Sequence, residues 1–306
     1  MPSPGTEPLD ILRADGSYLT REVFSIVFYI RRPHLEIGAQ MEAAIERFGG
    51  LVSFAKLRFF ADGEGEWQDL LEQDLGTRLR DQWGSFAETI NADVILRGDG
   101  QGAPDFYLRY SGDMRAGQGA YASHFRCWVP KAYWVEHRDE LTRFADSLAA
   151  DLPFSFGHAS LAVVGDDQRR LQKLARRYLA VDISSPLFVA IDIGDLAGGS
   201  YWTNYLGKGL TASVHGPVEL RKALPKEIVI DPITGGKCRL QLGPEPTLGD
   251  VNRREDVSPY RALAAHLNAC GVLHVPKRVV YFQDDAGMAD HEAQQKWHRR
   301  FIEVQP

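Results

Sequence analysis

The stretch from Ile228 to Leu242, "IVIDPITGGKCRLQL", decides how this chain folds. Two runs rich in β-branched and apolar residues, Ile228–Ile233 and Cys238–Leu242, flank Thr234, Gly235 and Gly236. Glycines accept the positive φ that tight hairpin turns demand, so the spacing predicts a β-hairpin, which is antiparallel by construction. The same grammar recurs upstream. Asp93–Arg97, Asp105–Tyr110 and Ser123–Val129 read as three strands separated by Gly-rich turns. Helical patterns fall between the strands without regular βαβ alternation. The expectation is therefore an α+β fold: a mixed, largely antiparallel sheet or sheets, flanked by helices.

Working outward, Arg21–Arg32, "REVFSIVFYIRR", reads as a buried strand that Pro33 stops. His34–Phe48 is a helix with Leu35, Met41, Ile45 and Phe48 near one face, ended by Gly49 and Gly50. Phe54–Phe60 reads as a strand and Trp67–Trp83 as an amphipathic helix. Tyr133–Ala150 is a further helix. His158–Val164 is a strand, and Asp166–Leu179 a helix with Asp166 or Asp167 as its N-cap. Leu187–Ile191 reads as a strand, and Tyr201–Val214 and Pro217–Leu224 as short helices. Ser258–Cys270 is a helix with Ser258 as N-cap and Pro259 at its first position. Val279–Phe282 is a strand and Asp290–Phe301 a closing helix. Residues 1–16, rich in Pro and Gly, read as a flexible leader. Residues 17–306 read as a single unit whose lobes, 17–150 and 151–306, meet at Asp151–Pro153.

The chain has 306 residues and a formal charge of -6, from 41 Asp plus Glu against 35 Lys plus Arg. Nucleic-acid affinity comes from cationic side chains that displace counterions, so this balance argues against a direct nucleic-acid partner. It suits a basic protein partner better. Cys127, Cys238 and Cys270 are widely spread and odd in number, which argues against a disulfide framework and for a reducing compartment. The start "MPSPGTEP" has no basic or apolar signal, and no run approaches the roughly 18 apolar residues of a membrane helix. The expected location is cytoplasmic.

Tests for chemistry return little. "GKGLTA", Gly207–Ala212, matches a dinucleotide fingerprint in letters, but that motif needs a strand before it and "YWTNYL" reads as helix. His266, His274, His291 and His298 lack the tight spacing of a metal site. His124 and Cys127, three apart on a strand, point to opposite faces. Asp62, Glu64 and Glu66 in "ADGEGEW" have oxygen ligands for a cation but do not match a twelve-residue calcium loop. "PDFYLRY", from Pro104, lacks the following Glu-x-Lys of a nuclease. An enzymatic alternative would be a metal-dependent hydrolase, or an antidote that reverses damage, built from Asp62, Glu64 and the C-terminal histidines. No metal or other cofactor is expected.

"QLGPEPTLGDVN", Gln241–Asn252, follows the hairpin directly. Pro244 and Pro246 fix φ and remove two amide donors. Gly243 and Gly249 permit unusual backbone angles, and Asp250 and Asn252 can bond nearby amides. A phosphate cradle wants free amides, so the stretch reads as a rigid connector.

The same segment resembles the C-terminal signature of the type VI secretion immunity family, long catalogued as a domain of unknown function. The matching residues are Gly243, Pro244, Pro246, Leu248, Gly249, Asp250 and Asn252, followed by Tyr260 and Arg261. "YWTNYLG" (Tyr201–Gly207), "VHGPVELRKAL" (Val214–Leu224) and "FSFGHASLAV" (Phe154–Val163) are similar to other family segments, although Ser200-Tyr201-Trp202 departs from the family's pattern. The resemblance implies a protein that binds and neutralises a secreted effector toxin without catalysis of its own. With the cytoplasmic expectation it implies a toxin of the nuclease class, whose phosphate-gripping surface is basic. Trp202, Leu206, Gly207, Gly243, Pro244, Pro246, Gly249, Asp250 and Asn252 are then scaffold residues. Contacts are expected on variable acidic loops: Asp62, Glu64, Glu66, Trp67 and Asp69, then Asp113, then Asp284 and Asp285. The reading leaves a homodimer open.

Overall fold

The apolar run that Pro33 stops becomes the spine of one sheet. The computed structural model describes residues 9–62, 64–70, 75–98, 102–277 and 282–303. In chain order its strands are β1 (Ile11–Leu12), β2 (Tyr18–Ile30), β3 (Phe59–Ala61), β4 (Trp67–Asp69), β5 (Ala92–Arg97), β6 (Tyr107–Gly112), β7 (Ser123–Pro130), β8 (Phe156–Gly165), β9 (Thr203–Leu206), β10 (Val229–Ile233) and β11 (Lys237–Gln241). The helices are α1 (His34–Val52), α2 (Leu75–Trp83), α3 (Lys131–Glu136), α4 (Arg138–Asp151), α5 (Gln168–Arg177), α6 (Pro186–Asp192), α7 (Lys208–Ser213), α8 (Gly216–Ala223), α9 (Ser258–Ala269) and α10 (His291–His298). The strand order is β10-β11-β9-β8-β2-β7-β6-β5-β3-β4, with β1 beside the start of β2. Every ladder between these strands is antiparallel. The α+β architecture with a largely antiparallel sheet is as the hairpin pattern predicts.

β2 pairs with β7 on one side and β8 on the other. Its residues from Val23 to Ile30 are buried on both faces, so alternation is lost and the run reads as continuously apolar. Phe24, Ile26 and Phe28 face the helices: Phe24 stacks on Trp134 of α3 at 4.9 Å, and Phe48 of α1 meets Phe144 of α4 at 5.7 Å. On the opposite face of β8, His158 stacks on Tyr201 at 3.6 Å. Because β8 follows Asp151 and β2 precedes it, one ladder joins the two expected lobes. Within the expected leader, Leu9 is buried, its carbonyl accepts the Thr20 hydroxyl at 2.7 Å, and β1 pairs with β2.

Several local expectations need correction. Phe54–Phe60 is a 3-10 turn at Phe54–Lys56 followed by β3. The helix expected over Trp67–Trp83 begins as β4, which pairs with β3, and is helical at Leu75–Trp83. Tyr133–Ala150 is two helices, α3 and α4, broken at His137. Leu187–Ile191 is α6 and not a strand, because Pro186 presets helical φ at its first turn. The helix expected at Tyr201–Val214 is β9 and then α7. All four residues of β9 are buried between β8 and β11, which erases the period-2 signal. Val257, and not Ser258, occupies the N-cap of α9, while the Asp256 carboxylate accepts the Ser258 N–H at 2.8 Å. Asp167 caps α5, accepting the Arg170 N–H at 3.0 Å. The strand expected at Val279–Phe282 lies, but for Phe282, outside the described residues.

Candidate partner-binding surface

The acidic stretch at Asp62 is the turn of the β3–β4 hairpin. One Asp62 carboxylate oxygen accepts the N–H groups of Glu64 at 3.0 Å and Glu66 at 2.9 Å, and the other accepts the Gln68 amide at 2.9 Å. The Gln68 bond and these amides hold its pKa below the ordinary carboxylate value. Asp62 thus shapes the turn, and Glu64 and Glu66 stand exposed on it. Trp67 is 45% exposed at the start of β4, and Asp69 pairs with Arg58 at 3.1 Å. Asp113 is gripped by Arg115 at 2.5 Å, and this bond leads the causes that lower its pKa. Asp284 accepts the N–H groups of Ala286 at 2.9 Å and Met288 at 2.8 Å, closing another turn beside exposed Asp285.

The motif residues sit in the packed interior or in its connectors. Trp202 is buried, donates to the Gly243 carbonyl at 2.9 Å and meets Phe24 and Trp134 edge-on. Leu206 is fully buried on β9. A Cβ on Gly207 would lie 2.2 Å from the Phe154 carbonyl oxygen. Gly249 has φ 65°, and a Cβ there would lie 2.9 Å from the Ala180 nitrogen. Asp250 is 1% exposed and pairs with Arg177 at 3.0 Å. The Asn252 N–H donates to Asp250 at 3.0 Å, while its side chain is exposed. Pro244 is exposed and Pro246 half-buried in the same connector. Glu255, which sequence reasoning passed over, accepts the Gly249 N–H at 3.0 Å, the Asp250 N–H at 3.2 Å and the Thr247 hydroxyl at 2.6 Å. Asn204 bridges Tyr201 through both its amide groups.

"GKGLTA" follows a strand after all, since β9 precedes it. Both neighbours of β9 are antiparallel, however, whereas the dinucleotide fingerprint belongs to a parallel βαβ unit. The hydrolase alternative is not assembled. Asp62 and Glu64 lie at the β3–β4 edge. His274 is anchored through Ala197, beside β8, and pairs with Asp192 at 2.8 Å. Five strand spacings separate β8 from β3, about 24 Å at ordinary sheet geometry.

One face of the sheet is built differently from the rest. Facing α1, strands β5, β6 and β7 present Val94, Leu96, Leu108, Tyr110, Phe125 and Cys127, all fully buried. The other face of the same strands, with β4, presents Trp67, Arg97, Tyr107, Arg109, Arg126 and Trp128. The registers Arg97↔Tyr107, Tyr107↔Trp128 and Arg109↔Arg126 put these side chains in adjacent rows. The Tyr107 and Trp128 rings stack at 3.9 Å. Arg126 lies over Trp128 at 4.8 Å and Arg97 over Trp67 at 4.9 Å. Arg109 makes a two-pronged bond to Asp93 at 3.0 and 2.8 Å. A shallow cleft of about 340 Å³ runs across this face to the segment 183–185. The outward alternation in "ADVILR", "YLRYSG" and "SHFRCWVP" carries this pattern in the sequence, on strands and not in the acidic loops.

Among the described residues no helix is long and apolar enough to cross a membrane. The profile of the family described as "TsiV: Type VI immunity for VRR-NUC" matches residues 40–301. A solved structure described as the Pseudomonas aeruginosa T6SS protein PA0821 superposes with a TM-score of 0.77 at 17% sequence identity. That match covers 96% of this chain and 88% of the other, and shows a shared fold. No curated protein matches in sequence.

Proposed function

We propose that this chain, which belongs to the family of type VI immunity proteins for VRR-NUC, protects its producer by binding a nuclease effector one to one. It blocks the toxin by covering a surface that the nuclease needs, and performs no chemistry of its own. The observation that carries this reading is the extent of the family match, residues 40–301, which takes in the sheet from β3 to β11 and the helices packed on it. Neutralisation takes place in the cytoplasm, where a nuclease meets its substrate. The toxin is expected to be encoded beside its antidote.

Exposed Glu64, Glu66 and Asp285, with Trp67, are the proposed acidic-loop contacts, and Asp62, Asp69, Asp113 and Asp284 hold those loops in shape. Exposed charge acts mainly on association rate. The reading is tested by co-producing this chain with the VRR-NUC effector of the same genome. Cells should survive, and the two proteins should co-elute as a 1:1 complex. Continued killing with no complex would end the proposal. Reversing Glu64 and Glu66 to Lys should slow association about tenfold at low salt if the partner surface there is basic. An unchanged rate constant would remove the hairpin turn from the contact set.

A further inference from the structure

We propose that the strap 182–192, which carries α6 along the edge of the cleft, is an acid-released flap clasped at each end by a buried histidine–aspartate pair. The device is independent of which toxin the chain binds. At the start of the strap the Asp182 carboxylate meets Nε2 of His158, on β8, at 3.2 Å. At its end the Asp192 carboxylate meets Nε2 of His274 at 2.8 Å. An ionised carboxylate only accepts, so each Nε2 carries the ring proton and each Nδ1 presents a lone pair. Both rings are buried, and among the described residues neither Nδ1 has a partner. Between the clasps Leu187 and Phe188 are 38% and 37% exposed, while Val189 and Ala190 are buried and the Ala190 carbonyl accepts the Ala122 N–H at 2.9 Å. A single buried pair of this kind would be a structural tie and no more. Here two pairs bracket one partly exposed segment, and further cationic or ionisable groups face both.

Protonation works against the clasps. A second proton on His158 would sit at Nδ1 with no acceptor inside the protein, and an orphaned buried donor costs free energy. Its charge would also be surplus. Arg126, held by the Ser25 hydroxyl at 3.2 Å and the Ser184 carbonyl at 3.4 Å, and Arg300, held by the Leu179 carbonyl at 2.6 Å, both act on the pair and balance Asp182. Tyr201 stacks on the ring at 3.6 Å and keeps water from it. Burial is the largest influence on His158 and lowers its pKa; the Asp182 bond raises it, and Arg126 and Arg300 lower it again, leaving it below the ordinary histidine value. At the other clasp the His298 ring, at the end of α10, lies across His274 at 6.1 Å. Burial, then the charges of His274 and Arg300, push His298 well down against the pull of Asp182 and Asp192. A histidine depressed in the folded state contributes stability that is lost as pH falls below its unfolded value of about 6.5. The strap is therefore shut at neutral pH and loosens below about 6.5.

The test is hydrogen exchange on the full chain at stepped pH from about 7.5 to about 5.5, a range that brackets the unfolded histidine value. Mass spectrometry reads protection relative to unstructured rates for wild type, His158→Gln and His298→Gln. Glutamine keeps an N–H donor but takes up no proton. In wild type, protection of residues 183–192 should fall about tenfold per pH unit below about 6.5 for each proton taken up, and up to about a hundredfold for two, while α1 and α4 stay protected. Each variant should remove about one factor of ten. Should a variant fail to fold, histidine-ring NMR of wild type decides, since the His158 and His298 signals should titrate in step with the opening; titration without any loss of protection would overturn the flap. Protection that holds or rises in acid would show that protonated pairs tighten, and would overturn it too. Equal loss in α1 and α4 would mean unfolding of the whole chain and no separate strap. An unchanged pH dependence in both variants would remove the histidines from the device and end the proposal.

Discussion

Removing the Asp250 carboxylate should unfold a connector, and the structure sets the size of the effect. Asp250 is 1% exposed and accepts Arg177 Nε at 3.2 Å, Arg177 Nη2 at 3.0 Å and the Asn252 N–H at 3.0 Å. The Arg177 side chain is itself only 15% exposed. Asp250→Ala therefore removes the carboxylate that a largely buried cation and a backbone donor share. Deleting one member of a buried pair costs about 3–5 kcal/mol, so we expect about 4 kcal/mol. With a urea dependence of about 3 kcal/mol per M for a chain this long, the unfolding midpoint should fall by roughly 1.3 M. Asp250→Asn keeps one acceptor oxygen and the shape, and should lose about 2 kcal/mol. The pH dependence is a second readout. Burial pushes the Asp250 carboxyl up, but the Arg177 bonds and the Asn252 N–H hold the net value below 3.8. A carboxyl depressed in the folded state contributes stability that is present above the unfolded pKa and lost as pH falls through the folded one. The gap between wild type and Asp250→Ala should thus be full at pH 7 and shrink in acid below about pH 4. Urea titrations at stepped pH read both numbers. A loss under about 1 kcal/mol at pH 7 would show that the pair is no stronger than a surface salt bridge and would refute the argument.

Three further outcomes follow from local geometry. Gly207→Ala puts a Cβ 2.2 Å from a backbone oxygen that cannot retreat, and should cost about 3 kcal/mol or yield insoluble protein. Gly209→Ala, two residues on in α7 with open space around it, should gain about 0.5–1 kcal/mol, and melting curves of the pair separate the two cases. His124 is buried, and desolvation, then the charges of Arg109 and Arg126, push its pKa down to about 3. A histidine depressed in the folded state loses stability as pH falls below its unfolded value of about 6.5. His124→Asn should therefore flatten the stability profile between pH 6 and 4 by about 1.4 kcal/mol per pH unit, and an unchanged slope would contradict this.

What the amino-acid sequence determined by itself was local. Glycine pairs, β-branched runs and charges at run ends marked β2, β5, β6, β7 and the β10–β11 hairpin, because those signals act through φ preferences and pleat periodicity within a few residues. Asp167 before α5 and the apolar stripe of α1 were legible for the same reason. Where an element is buried on both faces or very short, periodicity vanishes. β9 and α6 were each taken for the other kind of element, and β4 was absorbed into a helix. Only the tertiary structure placed β2 between β7 and β8 and slid β9 between β8 and β11, since pairing between strands far apart in the chain leaves no mark on neighbouring positions. The acidic loops were visible as sequence, but not that Asp62, Asp113 and Asp284 spend their oxygens on their own turns. The arginine–aromatic face was written in the alternation of three correctly read strands. It became a surface only when pairing set Arg97 beside Tyr107 and Tyr107 beside Trp128, because side chains on separate strands meet through register and not through spacing.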